Sequence, residues 1–154
     1  MNVFLDTSAV IKLYHKEVGS AELLAFLNAH AHDLILTISD ITRTEFHSAF
    51  LRRVRMKEIP ATPVFVVFGL FDRDLTMFNQ IAVDAAVKHM ATTLLGNIAH
   101  QRGLRTLDAF QLAAALFCHQ IVPVDRFVTS DEKLGKVAED YFTVFNPEDN
   151  AATP

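Results

Sequence analysis

The stretch Asn2-Val-Phe-Leu-Asp-Thr-Ser8 indicates the fold more clearly than any other part of the chain. Asn2 to Leu5 is predicted to form a short buried strand, and a helical pattern follows from Ser8 to Tyr14. Asp6 lies between them, directly after the apolar residues. Because an ionised carboxylate is costly to bury without a partner, Asp6 needs a cation or a set of hydrogen-bond donors.

The order of a strand followed by a helix recurs along the whole chain. Further strands are predicted at 34–38, 77–82, 126–129 and 141–145, and helices at 20–31, 40–57, 64–75, 84–102, 106–118 and 131–138. The Val- and Phe-rich segment 64–75 also allows a strand. Gly103 is expected to end the helix 84–102. This alternation predicts an α/β fold, a three-layer α/β/α sandwich around a mainly parallel sheet of about five strands. We expect one domain over residues 1–146 and a polar C-terminal tail over 147–154.

The composition excludes several classes of protein. The 154 residues are 51% hydrophobic and include 13 Phe, so a disordered chain is excluded apart from the tail. The net charge of −4 argues against a generally basic nucleic-acid coat, although a local basic face remains compatible with it. The single cysteine, Cys118, excludes an intrachain disulfide. Residues 1–14 lack the features of a signal peptide, and the longest apolar run, 63–71, is too short to cross a bilayer, so we expect a cytoplasmic protein without membrane contact.

Four acidic residues are predicted where strands give way to helices: Asp6, Glu45, Asp108 and Asp131. In open parallel sheets, ligands bind at the carboxyl ends of the strands, so these side chains are expected in one cleft. Each acid also has a structural explanation. Asp131 is a good helix N-cap, Glu45 would complete a Thr42-x-x-Glu45 capping box, and Asp108 suits the start of a helix. A salt bridge to a basic residue would serve a buried acid, but Mg²⁺ or Mn²⁺ is the usual partner of clustered carboxylates.

Four segments carry a resemblance to a known family. They are Phe4-Leu-Asp-Thr-Ser-Ala-Val-Ile-Lys-Leu-Tyr14, Ser39-x5-Glu45, Leu104-Arg-Thr-Leu-Asp-Ala-Phe-Gln-Leu-Ala-Ala-Ala115 and Phe127-Val-Thr-Ser-Asp-Glu-Lys-Leu134. In this order and at these spacings they resemble the motifs of PIN-domain ribonucleases, and most of all the VapC toxins of type II toxin–antitoxin systems. The resemblance extends from residue 2 to about 146. The segment 56–82 matches none of the motifs.

The resemblance implies a function and a set of site residues. The function is that of an endoribonuclease that hydrolyses RNA phosphodiester bonds with Mg²⁺ or Mn²⁺ and leaves 5′-phosphate and 3′-hydroxyl ends. The implied catalytic and metal-binding residues are Asp6, Glu45, Asp108 and Asp131, with Ser8 and Thr129 supporting the site through their hydroxyl groups. The resemblance also implies a homodimer and a cognate VapB-like antitoxin that holds the enzyme inactive.

Contact with RNA and with protein partners requires further surfaces. Basic residues that could position phosphates beside the cleft are Lys12, Arg43, Arg52 and Arg105. For Arg53, Arg55 and Lys57 on the helix of Arg43 and Arg52, a solvated helix face is at least as good an explanation. The Phe-rich stretch from Val64 to Phe71, together with Phe46 and Phe50, is a candidate antitoxin groove or dimer face. Core packing explains the same pattern.

Other functions compete with the metal-dependent ribonuclease. Seven histidines allow a metal-free acid–base ribonuclease, with His47 or His119 as candidates. A phosphoacceptor signalling domain would need an early adjacent pair of acids and a late Lys, and a haloacid-dehalogenase-type phosphatase would need Asp-x-Asp where this chain has Asp6-Thr-Ser8. A non-catalytic PIN-fold module that binds RNA or a protein partner is the strongest non-enzymatic alternative.

Overall fold

The protein is described here by a computed structural model covering residues 1–149. Its five strands are β1 (Asn2–Leu5), β2 (Ile35–Ser39), β3 (Asn79–Ile81), β4 (Arg126–Val128) and β5 (Val144–Phe145). Its α-helices are α1 (Thr7–Tyr14), α2 (Ser20–Ala29), α3 (Ile41–Arg55), α4 (Ala61–Asp74), α5 (Ala85–Leu94), α6 (His100–Arg102), α7 (Thr106–Ile121) and α8 (Glu132–Ala138). Residues 150–154 of the predicted tail lie outside the described residues.

The strands form one parallel sheet in the order β3-β2-β1-β4-β5. This confirms the predicted α/β sandwich with a five-stranded sheet. β1 is central, and the chain leaves it for β2 on one side and returns to β4 on the other. The boundary between β1 and β4 is therefore the topological switch point, where ligands of such sheets bind.

The alternation of side chains along β1 divides the core into two layers. Val3 and Leu5 point into a core formed with α1 to α4, whereas Phe4 points into the core formed with α5, α7 and α8. Phe4 pairs in register with Phe127 of β4, and their rings stack with centroids 5.5 Å apart. All residues of β1 are buried, as a central parallel strand requires.

The Phe-rich segment forms helix α4, so the strand interpretation is wrong. Five residues of the proposed groove are buried: Phe46 and Phe50 on α3, and Val64, Phe68 and Phe71 on α4. Core packing is thus the correct explanation for them. The other side of α4 is apolar and open, since Phe65 and Val66 are 66% and 64% exposed.

The predicted helix 84–102 is interrupted. It begins after Asp84, whose carboxylate accepts hydrogen bonds from the Ala86 and Val87 amides, and it ends at Gly103 with φ +67°, as expected. Between α5 and α6, however, Leu95–Ala99 forms a π-helical turn. No helix in residues 1–149 is long and apolar enough to cross a membrane.

The chain after β5 folds back onto the loop between α1 and α2. Gly19, at the start of α2, has φ +83°, and a Cβ atom there would lie 3.0 Å from the Pro147 carbonyl carbon. One residue further on, the Glu148 carboxylate accepts a hydrogen bond from the Lys12 ammonium at 2.5 Å. The beginning of the predicted tail, residues 147–149, is therefore packed against the domain.

Candidate active site

Asp6 lies at the switch point and is 5% exposed. Its backbone N–H donates to Val128 O of the neighbouring strand, and its carboxylate caps α1 by accepting from the Ala9 N–H at 3.0 Å. Burial, with a small contribution from the charge of Glu45, raises the pKa of Asp6 to about 6 despite the hydrogen bonds that the carboxylate accepts. The buried acid is thus only partly compensated by the protein.

Two hydroxyl groups complete the surroundings of Asp6. Ser8 Oγ donates to Asp6 Oδ1 at 2.6 Å, and Thr129 Oγ1 donates to Asp6 Oδ2 at 2.9 Å. Both hydroxyls also accept backbone N–H groups of the loop after β4, Ser8 Oγ from Ser130 and Thr129 Oγ1 from Asp131. The predicted support residues therefore contact Asp6 and tie the end of β1 to the loop that positions Asp131.

Asp131 is the N-cap of α8, as its sequence context predicts. Its Oδ1 accepts from the Lys133 and Leu134 amides at 2.8 and 3.0 Å. Asp131 Oδ2 makes no hydrogen bond with residues 1–149, and the side chain lines the cleft described below.

Glu45 lies one turn into α3 but does not form the expected capping box. Its Oε2 instead accepts from Thr7 Oγ1 and from Gln111 Nε2, both at 2.5 Å. Thr42 Oγ1, the other half of the expected box, also accepts from Gln111. Thr42 and Glu45 therefore make hydrogen bonds to α1 and α7 and not the capping box that their spacing predicted.

Asp108 lies in the first turn of α7, where Asp108 Oδ2 accepts from the Arg105 N–H at 3.3 Å. Burial raises the pKa of Asp108, and the negative charges of Asp131 and Glu45 raise it further. Asp108 therefore lies within electrostatic reach of Asp131 and Glu45.

Glu45 and Asp131 line one open cleft of about 670 Å³ between α1, α3 and the starts of α7 and α8. The lining residues are Thr7, Ser8, Ile41, Thr44, Glu45, Ser48, Ala49, Arg52, Leu107 and Asp131. Asp6 and Asp108 do not line the cleft themselves, but Ser8, which donates to Asp6, and Leu107, which precedes Asp108, do.

Within residues 1–149, no three carboxylate, imidazole or thiol side chains are already close enough to enclose a metal ion. The donor set nevertheless fits a hard divalent cation, because it consists of carboxylate oxygens whose mutual repulsion such an ion would relieve. Burial is the main cause of the raised pKa of Asp6 and of Asp108, and the neighbouring negative charges add to it.

The four predicted basic contacts divide into two groups. Arg52 lines the cleft, and the exposed Arg105 immediately precedes α7 near Asp108. Arg43 is also exposed but forms a bidentate pair with Asp72, at 2.7 and 3.0 Å.

Lys12 does not fit the RNA-contact role predicted for it. It is 4% exposed, and its ammonium donates to Glu17, to Val18 O and to Glu148. Since all three of its hydrogens have acceptors, none remains for a phosphate. The sequence feature that could have predicted the burial of Lys12 is its position inside the apolar run Val10-Ile-Lys-Leu13.

The two candidate histidines are engaged elsewhere. His119 Nδ1 accepts the Val124 N–H at 3.0 Å, and His119 lies 11 residues, roughly 16 Å, along α7 from Asp108. His47 stacks on Phe68 with ring centroids 3.9 Å apart, on the side of α3 that packs against α4. Neither lines the cleft, which argues against an acid–base mechanism through these residues.

Sequence reasoning missed Thr7, Thr42 and Gln111. Thr7 and Gln111 fall inside the quoted motifs, and Gln111 stands three residues after Asp108, on the same face of α7. The available signal was that Gln111 is a polar residue in the otherwise apolar run from Ala109 to Leu116.

A parallel sheet with a buried carboxylate at its switch point and further acids at neighbouring helix starts is typical of α/β proteins suited to metal-dependent chemistry on phosphates. The sequence model of the PIN domain matches residues 3–140, and the chain belongs to the PIN domain family.

Known relatives agree with this assignment. The chain is 29% identical to Ribonuclease VapC35 of Mycobacterium tuberculosis over 137 residues, which cover 89% of this chain and 90% of the relative. Two solved structures share the fold. The structure of FitAB bound to the IR36 DNA fragment has a TM-score of 0.71 at 17% identity, with 99% of each chain covered. A toxin–antitoxin complex from Klebsiella pneumoniae has a TM-score of 0.61 at 18% identity, with 94% of this chain and 97% of that chain covered.

Proposed function

We propose that this chain is a metal-dependent endoribonuclease that hydrolyses RNA phosphodiester bonds, the toxin of a VapBC-type toxin–antitoxin pair. The observation that carries the proposal is the arrangement of acids at the switch point: Glu45 and Asp131 line one cleft, and the buried Asp6 is joined through Ser8 and Thr129 to the loop that carries Asp131. Asp108 lies next to Leu107, which lines the same cleft. The ribonuclease activity named for the similar VapC35 supports the choice of RNA as the substrate.

PIN-domain ribonucleases generally depend on divalent metal ions, and we propose Mg²⁺ or Mn²⁺ for this protein. Asp6, Glu45, Asp108 and Asp131 would hold the ion. Such an ion supplies activation of water near neutral pH and neutralisation of charge on the phosphate. Ser8 and Thr129 fix the orientation of Asp6 through their hydroxyl groups. Backbone amides in the first turns of α1 and α8 donate to Asp6 and Asp131 and hold these carboxylates in place.

Phosphate contact falls to basic residues around the cleft. Arg52 is the best placed, because it lines the same cleft as Glu45 and Asp131. Arg105 is exposed beside the start of α7, whereas Arg43 would have to leave Asp72 to bind a phosphate. These contacts would position the RNA backbone without distinguishing bases.

The partners proposed here are a cognate VapB-like antitoxin and a second copy of the chain. The antitoxin follows from the resemblance to VapC toxins and from the fold shared with the Klebsiella pneumoniae toxin–antitoxin complex. The exposed apolar side of α4, with Phe65, Val66 and Leu70, is the candidate surface for the homodimer. A cytoplasmic location stays a prediction and follows from the expected RNA substrate.

The test is cleavage of total RNA and transfer RNA by the purified chain in Mg²⁺ or Mn²⁺, with EDTA as the control. Asp6→Asn and Asp108→Asn are expected to abolish the products. Glu132→Gln is the matched control, because Glu132 is an exposed acid next to Asp131. If a folded, antitoxin-free protein cuts no RNA in a broad panel, the non-catalytic binding module becomes the better explanation.

A further inference from the structure

One buried amide connects three of the acid-bearing elements. Gln111 is 2% exposed, and its Nε2 lies within hydrogen-bond distance of Thr7 Oγ1 at 3.0 Å, Thr42 Oγ1 at 3.1 Å and Glu45 Oε2 at 2.5 Å. Thr7 directly follows Asp6, and Gln111 lies one turn after Asp108 on α7. The amide therefore links the starts of α1, α3 and α7.

The orientation of this amide is fixed by Glu45. Exchanging Gln111 Nε2 and Oε1 would place two acceptor oxygens 2.5 Å apart, so the nitrogen must face the carboxylate. In this orientation Gln111 Oε1 is buried and has no hydrogen-bond donor within residues 1–149. A buried acceptor without a donor is costly, so the stability of the core alone does not explain why the amide is held this way.

We infer that Gln111 is a positioning residue for the metal site, an inference that rests on the proposed function. With Thr7, it holds Glu45 Oε2 by two donors, which fixes the rotamer of Glu45 and leaves Oε1 as the atom free to face the cleft. Gln111 itself has no place among the ligands, since its amide nitrogen donates to the carboxylate. It acts through Glu45.

The expected effect of Gln111→Met is a weaker metal site in a folded protein. Methionine has a similar length and favours helices, so α7 should form. Outer partners of metal ligands typically contribute about tenfold or more in metal affinity. We therefore expect the Kd for Mn²⁺ to rise about tenfold. At limiting Mn²⁺ the kcat for RNA should fall, while the KM for RNA should stay unchanged.

The experiment measures Mn²⁺ binding by electron paramagnetic resonance in the full chain, with circular dichroism to verify folding. The control is Gln120→Met, an exposed glutamine on the same helix, which should bind as the parent does. A double-mutant cycle with Glu45→Gln separates positioning from general damage, because Gln111→Met should add little once Glu45 is altered. If Gln111→Met does not fold, Thr42→Val removes one anchor of the amide and should weaken Mn²⁺ in the same direction.

The outcomes separate this inference from the proposed function. A parent protein that neither binds Mn²⁺ nor cuts RNA overturns the proposed function. A parent that does both, with unchanged Mn²⁺ affinity in Gln111→Met, overturns the positioning role alone. An additive loss in the Glu45→Gln background also overturns it, since a purely structural residue would behave in that way.

Discussion

Asp6→Asn is expected to stabilise the metal-free protein at pH 7 while it removes metal binding. Asp6 is 5% exposed, and burial raises its pKa from 3.8 to about 6. The folded state thus binds the proton more tightly than the unfolded state. The stability that proton binding at Asp6 adds to the folded state is fully present below pH 3.8 and is lost as the pH rises through about 6. At pH 7 the ionised Asp6 therefore destabilises the fold, by roughly two pKa units or about 3 kcal/mol.

The neutral amide avoids that penalty but loses part of the hydrogen bonding. The amide NH₂ group would face Thr129 Oγ1, which now donates to Asp6 Oδ2, so the hydroxyl has to turn and accept instead. Such a rearrangement costs about 1 kcal/mol. The net gain in the free energy of unfolding at pH 7 is then about 2 kcal/mol, and it should shrink as the pH falls below 6.

Urea unfolding followed by circular dichroism in EDTA, at pH 7 and at pH 4.5, measures this difference. Glu58→Gln, a change at an exposed acid, should leave the midpoint unchanged. Addition of Mg²⁺ should stabilise the parent protein but not the variant, because only the parent binds the ion in its folded state. A variant that is less stable than the parent in EDTA at pH 7 would refute the reasoning.

Three further changes follow from the same structure. Arg52→Ala should raise the KM for RNA several-fold at constant kcat and weaken the salt dependence of RNA binding by about one ion. Arg55→Ala, at an exposed residue of the same helix, should change neither. Equal effects of the two variants on RNA kinetics would count against the proposed phosphate contact at Arg52. Lys12→Met should lower the free energy of unfolding by roughly 1–3 kcal/mol, because it leaves Glu148 and Val18 O without their donor, although Glu17 keeps Arg53. An unchanged urea midpoint would contradict this. Gly19→Ala should destabilise by about 1 kcal/mol or more, since φ is +83° and a Cβ would meet the 147–149 segment. Gly69→Ala should raise the free energy of unfolding by about 0.5–1 kcal/mol, because a Cβ there would meet open space on α4. Thermal melts in which Gly19→Ala is more stable than Gly69→Ala would contradict both predictions.

The sequence was sufficient for the fold because periodicity and end signals agreed. The apolar run of β1, the Gly103 helix stop and the Asp131 N-cap each appear in the structure as predicted. The π-helical turn at Leu95–Ala99 could not be predicted, because its residues continue the helical pattern on both sides.

The site was less predictable than the fold. The four acids could be named from their places at strand–helix junctions, and the structure places Glu45 and Asp131 in one cleft. The metal-binding role of the four acids stays a prediction. The hydrogen-bond partners of those acids depend on which helices pack against each other, and the local sequence pattern does not contain that information. Glu45 therefore seemed to belong to a capping box, although it accepts from Gln111 across 66 residues of sequence. Lys12 seemed free for the same reason, although its partner Glu148 lies 136 residues away.

The chemistry of the RNA ends tests the central claim most directly. The measurement is end-group analysis of the products after cleavage in Mn²⁺, with EDTA and Asp108→Asn as controls. Hydrolysis at the carboxylate site predicts 5′-phosphate and 3′-hydroxyl ends that form only with the metal and only with Asp108 intact. Products with 2′,3′-cyclic phosphate ends, or cleavage that survives both EDTA and Asp108→Asn, would contradict the account.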